Sequence, residues 1–326
     1  MKFGLCVLGC GAFARAFAHA IQGELDHVEL YFASRDAGRA ASFSAEFHGA
    51  DSFGSYESAV ADGRVDAVYV CTPHHLHLEH ARLASGAGKH ILLEKPLART
   101  AMEARAIVAV AADAGITLMV AENYRFMPPV IAAREFVERG ALGTLRLAQL
   151  QEDFPFQPTE WRNDSELNGG GVLIDGGIHK ASLLAYLAGD PSEVYAAEVP
   201  SAQPGLAAED GVVAMLRYAN GMVGVINHTW SAGPHNPRPW VTLSGSRASA
   251  VFELGGDWID TIDPTGRHRR QLGDDRAGLA GMVSEFRRSV QEGRAPSMTG
   301  DEGARDVALV EACYRSMRNG APVSFP

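Results

Sequence analysis

Short apolar runs alternate with longer amphipathic stretches along the first 120 residues. The runs Gly4–Gly9, Val28–Ser34, Ala67–Thr72, His90–Leu93 and Thr117–Ala121 predict buried strands. Between them Ala12–Gln22, Ala37–Phe47, Leu76–Ser85 and Ala101–Ala114 predict helices, and Gly23, Gly86 and Gly115 stand where helices stop. Alternation of this kind requires parallel pairing through right-handed crossovers, which predicts a doubly wound α/β sheet. After Glu122 the rhythm changes. A helix over Pro128–Glu138 is followed by strands over 144–153, 193–199, 210–218, 222–231, 238–244 and 249–253, with an Asn-Gly turn at 220–221. Helices over about 173–188, 278–292 and 301–318 complete the pattern. The reading is an N-terminal α/β domain over 1–122 and an α+β domain over 123–326 with a large open, mainly antiparallel sheet.

Composition narrows the function. A chain of 326 residues, 46% apolar, suits two cores. Its net charge of −10 opposes binding to nucleic acid or anionic membranes. The four cysteines form no C-x-x-C pair, which fits a reducing compartment, and no apolar run approaches the ~20 residues of a membrane span. A cytoplasmic protein is expected. Lysine occurs only at Lys2, Lys89, Lys95 and Lys180, so each lysine is informative.

Chemistry enters at the first strand-helix junction. Gly9-x-Gly11-x-x-Ala14 directly follows a strand and opens a helix, as a pyrophosphate-binding turn does. Ser34 and Arg35 close the second strand-like run where an acidic residue would hold a ribose. A hydroxyl and a guanidinium there favour NADP over NAD. Lys95, between Glu94 and Pro96, ends a parallel strand at the edge where such sheets bind ligands. Asp175 and His179 are spaced i, i+4, so the carboxylate can orient the imidazole. Four histidines crowd into "HHLHLEH" (His74, His75, His77, His80), but a zinc site needs further ligands and no metal is expected.

Gly9-x-Gly11-x-x-Ala14, Thr72-Pro73-x-x-x-His77, Glu94-Lys95-Pro96, Asn123-Tyr124-Arg125, Trp161-Arg162, Gly169-Gly170-Gly171 and Asp175-x-x-x-His179 occur in this order. So arranged, the chain resembles the glucose-fructose oxidoreductase / inositol dehydrogenase (Gfo/Idh/MocA) family over essentially its full length. The resemblance implies a Rossmann domain, an open-sheet domain and an active site in the cleft between them. The implied reaction is hydride transfer between nicotinamide and a secondary alcohol or ketone of a sugar, polyol or cyclitol. Lys95, Asp175 and His179 would be the proton relay. Cofactor contacts would come from Gly9, Gly11, Ala12, Phe13, Ala14, Ser34, Arg35, Cys71, Thr72, Pro73, His74, His77, Glu94, Lys95, Asn123, Trp161 and Arg162.

Substrate contacts would come from Lys95, Tyr124, Arg125, Phe154, Trp161, Asp175, His179 and Lys180. Phe126 and Phe156 are further aromatic candidates. The chain departs from the family pattern at His74, where asparagine is common, and at Ser182, where aspartate is common. Lys180 faces the substrate, another subunit or solvent; the sequence leaves all three open. His75 and His80 are expected on the outer face of their helix, and 232–240 as a surface loop. A homodimer or homotetramer through the open sheet is expected. Two alternatives stay open on the same fold: a cofactor-retaining, glycoside-cleaving enzyme and a non-catalytic ligand-sensing regulator.

Overall fold

The computed structural model describes residues 2–203, 205–231 and 240–325. Of the loop expected at 232–240, all but Trp240 lies outside them. The chain divides into two compact units, residues 1–122 with 279–304, and 123–278 with 305–326.

In the first unit β1 (Phe3–Leu8), β2 (Val28–Ala33), β3 (Asp51–Phe53), β4 (Ala67–Val70), β5 (His90–Glu94) and β6 (Leu118–Ala121) form one sheet, ordered β3-β2-β1-β4-β5-β6. Every neighbouring pair is parallel. Strands β1 and β4 are buried throughout, which is why their sequences read as continuous apolar runs. The crossovers carry α1 (Ala12–Ala20), α2 (Ala37–Glu46), α3 (Tyr56–Ala61), α4 (His77–Gly86) and α5 (Ala101–Asp113). The order reverses between β1 and β4, so the loops after these strands flank the switch point where open α/β sheets take ligands.

The second unit opens with α6 (Pro128–Glu138), followed by β7 (Leu145–Asp153), α7 (Ser165–Asn168) and α8 (Ile178–Ala188). Then come β8 (Glu193–Glu198), β9 (Gly211–Arg217), β10 (Val223–Thr229), β11 (Trp240–Gly245), β12 (Ser249–Glu253), β13 (Trp258–Asp263) and β14 (Gly266–Gln271). With β15 (Val323–Ser324) they form a nine-stranded sheet ordered β14-β13-β12-β11-β7-β10-β9-β8-β15. Among the described pairs of this nine-stranded sheet, only β7 and β10 run parallel. In β9 the alternation is plain: Val212, Ala214 and Leu216 are buried, while Val213, Met215 and Arg217 are exposed. Helices α6 and α8 cover the buried face, and α8 is itself buried almost all round.

The last helices are α9 (Leu279–Glu292) and α10 (Gly300–Asn319). Residues 279–304 return to the first unit rather than continuing the second, as a single cut at residue 122 would have it. Phe286 meets Phe3 edge to face at 6.1 Å, and the Val120 amide donates to the Met298 carbonyl at 3.1 Å.

Candidate active site

The turn after β1 is built for close approach. Gly9 has φ +102°, and a Cβ there would stand 2.8 Å from the Cys71 carbonyl oxygen, so only glycine fits. Gly11 differs. A Cβ on it would meet no protein atom within 4 Å, so packing does not demand the glycine. It leaves backbone bare beside the start of α1, where no side chain caps the helix and no acidic residue occupies the first turn. Unsatisfied N–H groups behind such an opening suit a pyrophosphate. Ala14 is fully buried, as helix-strand packing requires, whereas Phe13 is exposed.

After β2 the groups sort by role. The Ser34 hydroxyl accepts from the Asp36 amide at 3.1 Å, and the Asp36 carboxylate accepts from the Arg39 amide at 3.1 Å, capping α2. Asp36 is therefore committed to the helix. A cavity of about 360 Å³ beside Gly11 is lined by Cys10, Ala12, Arg15, Arg39, Ser42 and Phe43. Arg39 and Ser42 went unnoticed in the sequence; the available signal was that Arg39 lies one helical turn beyond Arg35. Burial pushes the Cys10 thiol up to about 11, so it stays a neutral thiol in this cavity wall.

The histidine cluster holds loops together. Fully buried His77 lies between two of them, its Nδ1 3.0 Å from the Pro96 carbonyl and its Nε2 3.0 Å from that of Thr72. Burial lowers its pKa to about 4, so a neutral ring donates through one nitrogen and braces the Lys95-Pro96 loop. His74 is buried beside it, the two rings 5.6 Å apart. His80 does not face outward as expected. It is buried, with Nδ1 2.9 Å from the Thr72 hydroxyl and its ring edge-on to Tyr56 at 4.7 Å. Its neighbours Thr72 and Tyr56 come from other turns of the unit, which helical periodicity does not register.

Glu94 is buried and accepts a hydrogen bond from the Tyr69 hydroxyl. Burial raises its carboxyl to about 7, against the pull of the adjacent Lys95. Lys95 itself is half-buried at the C-terminal edge of β5. Cys71 is likewise half-buried, directly after β4.

In the second unit Asn123, Tyr124 and Arg125 share one short 3-10 turn and diverge from it. The Asn123 amide donates to the Ala277 carbonyl at 2.6 Å. Arg125 is buried, 4.8 Å over the Tyr186 ring and 3.4 Å from the Ser182 hydroxyl, and thus serves packing against α8 rather than an exposed contact. Tyr124 takes the other direction: its ring lies flat on His179, centroids 3.9 Å apart and planes 4° apart.

Residues Leu173–Gly177 form a π turn that runs into α8, so Asp175 and His179 are not on one regular helix. Arg162 donates from Nε to the Asp175 carboxylate at 3.0 Å while its guanidinium lies 4.3 Å over Trp161. Lys180 is fully buried and ion-paired with Glu152, which excludes solvent among the three surroundings that the sequence left open. Phe154 is partly exposed, 5.9 Å from both Phe156 and His228.

Comparison with known proteins agrees with this arrangement of elements. Residues 3–122 match the family model described as an oxidoreductase family with NAD-binding Rossmann fold, and residues 130–251 match the GFO/IDH/MocA C-terminal domain. The chain belongs to the Gfo/Idh/MocA family. It is similar to a D-xylose 1-dehydrogenase (NADP(+)) of Haloferax volcanii, at 29% identity over 100% of both chains. It is also similar to a dTDP-3,4-didehydro-2,6-dideoxy-alpha-D-glucose 3-reductase of Saccharopolyspora spinosa, at 30% identity over 97% of each. Among solved structures, levoglucosan dehydrogenase in complex with NADH and levoglucosan superposes with a TM-score of 0.91 at 25% identity, over 100% of both chains. This Gfo/Idh/MocA member is thus an oxidoreductase with an NAD-binding Rossmann unit. Among its described residues no helix is long and apolar enough to cross a membrane.

Proposed function

We propose that this enzyme interconverts a secondary alcohol and a ketone on a sugar, polyol or cyclitol, with NADP(H) as the preferred cofactor. The observation that carries the reading is the His179 imidazole, pressed flat on Tyr124 at the head of α8, with Asp175 one turn before it and held by Arg162. An imidazole fixed in its plane suits one task, taking or returning the hydroxyl proton at one ring nitrogen. Asp175 would favour the charged imidazolium, and Lys95 would stabilise negative charge on the substrate oxygen. A bound nicotinamide supplies the hydride acceptor or donor.

Support for NADP comes from Ser34, Arg35, Arg39 and Ser42, a hydroxyl-guanidinium set suited to a 2′-phosphate, together with the commitment of Asp36 to helix capping. The bare backbone at Gly11 is compatible with either dinucleotide. The substrate class follows the three similar proteins named above, whose substrates are D-xylose, a dTDP-linked deoxysugar and levoglucosan.

A panel of aldoses, polyols, cyclitols and anhydrosugars, assayed with each cofactor by nicotinamide absorbance, tests the reading. Turnover that Lys95→Met lowers by on the order of 10²–10³-fold is expected. Sugar release without net cofactor conversion would point to the glycoside-cleaving chemistry, and full turnover in Lys95→Met would remove Lys95 from the proton relay.

A further inference from the structure

Lys180 directly follows His179 in sequence, yet it is 0% exposed. An ammonium withdrawn from water is costly unless paired and hydrogen-bonded. This one is ion-paired with Glu152, donates to the Gly176 carbonyl at 3.3 Å and lies 5.4 Å over the Tyr124 ring. Glu152 belongs to β7, beside His228 of β10 in the parallel register. Both continue a sheet face that is otherwise apolar, after Ala148 and Leu150 on one strand and Gly224 and Ile226 on the other. His228 Nδ1 lies 2.7 Å from the Glu152 carbonyl oxygen, which seats the ring against the π turn. A Cβ on Gly176 would come within 2.2 Å of His228 Nε2. The Glu152 carboxylate also accepts from the Tyr124 hydroxyl at 3.3 Å, and the Tyr124 ring carries His179.

We propose that Lys180, Glu152 and Tyr124 form a positioning chain for His179: Lys180 anchors Glu152, Glu152 holds the Tyr124 hydroxyl, and the phenol ring fixes the plane of the imidazole. A lone stacked ring can slide or tilt. A ring tethered at its far end cannot, and the imidazole it supports then offers its edge in one direction. This use of the chain rests on the reading of His179 as the proton acceptor. It gives Lys180 a purpose without exposing it to substrate, and it makes Tyr124 a positioning residue with a defined neighbour on each side.

The first test needs no substrate. With isotope-labelled histidine, the His179 ring protons, assigned by their loss in His179→Asn, should resonate upfield because they lie over the Tyr124 ring. In Tyr124→Leu they should move downfield. Lys180→Met alone leaves a buried carboxylate unpaired and can unfold the protein. The double variant Lys180→Met/Glu152→Leu leaves neither a lone charge inside nor an acceptor for the Tyr124 hydroxyl, and in it the same protons should move downfield while the melting temperature stays near the parent's. An unmoved His179 resonance in the folded double variant overturns the chain.

The second test uses the substrate that the cofactor screen identifies. The double variant should lose kcat by on the order of tenfold to a hundredfold, as misplacement by an ångström does, with KM and cofactor affinity unchanged. A moved resonance with parental kcat overturns the role in catalysis. A moved resonance in a protein that turns over no sugar or polyol supports the chain while removing the functional reading.

Discussion

At the scale of single residues, two buried groups of the first unit give opposite pH dependences. Glu94 is raised from 4.5 to about 7, so over that range the folded state keeps a proton that the unfolded chain has released. Its contribution is complete below 4.5 and declines by about 3 kcal/mol as pH rises to 7. His77 is lowered from 6.5 to about 4, so there the unfolded chain holds the extra proton and stability declines as pH falls. The two oppose each other across the overlap. Glu94→Gln removes one limb, so its urea midpoint should gain on the parent's steadily between pH 4.5 and 7. Parallel midpoint curves would show that Glu94 does not titrate in this way.

Arg39 supplies the residue-scale test of cofactor choice. Arg39→Ala should raise KM for NADP(H) by on the order of ten- to a hundredfold, the worth of about 1.5–3 kcal/mol of charge-assisted bonding, and leave KM for NAD(H) alone. Equal effects on both cofactors would place Arg39 outside 2′-phosphate recognition. His179→Asn should lower kcat by on the order of 10²–10⁴-fold without weakening cofactor binding, as fluorescence titration would show.

At the scale of elements, legibility tracks locality. Strands β1, β2, β4, β5 and β6 were readable because each is a run of mostly apolar neighbours, and α6 because its proline start and apolar period are local. Strand β14, "GRHRRQ", has no apolar residue and is exposed throughout. It is a strand because of its ladder with β13 and because Arg267 and Arg269 both bind the buried Asp260 carboxylate across that ladder. Arginines along an edge also discourage further strand addition. Strand β3 is only three residues long, too short for a period to show.

The candidate site obeys the same rule. Lys95, Asp175 and His179 stood out by type and spacing. The partners of Lys180 and Tyr124 did not, because Glu152 is 28 residues from each in sequence and is delivered by β7. Nor did spacing register the π turn, which breaks the regular helix assumed for Asp175 and His179. Gly176→Ala tests that element. The new methyl would meet a histidine ring already held by a carbonyl, so the variant should lose about 1–3 kcal/mol of stability by thermal or urea unfolding, and kcat with it. Parental stability would mean that the turn relaxes freely.

At the scale of the whole molecule, the uncovered face of the nine-stranded sheet presents Tyr195, Val213, Met215 and Ile262, each roughly 40% exposed. Apolar side chains spread over one sheet face suit burial against a second copy. Sedimentation should show a dimer or tetramer, and Val213→Glu with Met215→Glu should shift it toward monomer. A parent that sediments as a monomer would sink this expectation.

The return of residues 279–304 to the first unit bears on synthesis. Strands β1 to β6 leave the ribosome well before residues 279–304, so the packing of Phe3 waits for Phe286, and the edge strand β6 waits for Met298 and Thr299 to pair along it. Until then β6 has open backbone on that side, the condition that invites misassociation of nascent chains. The first unit is thus completed only after residues 123–278 of the second have been made. A product truncated at residue 278 would carry every phosphate-turn residue and still lack the closing edge of the sheet that holds them.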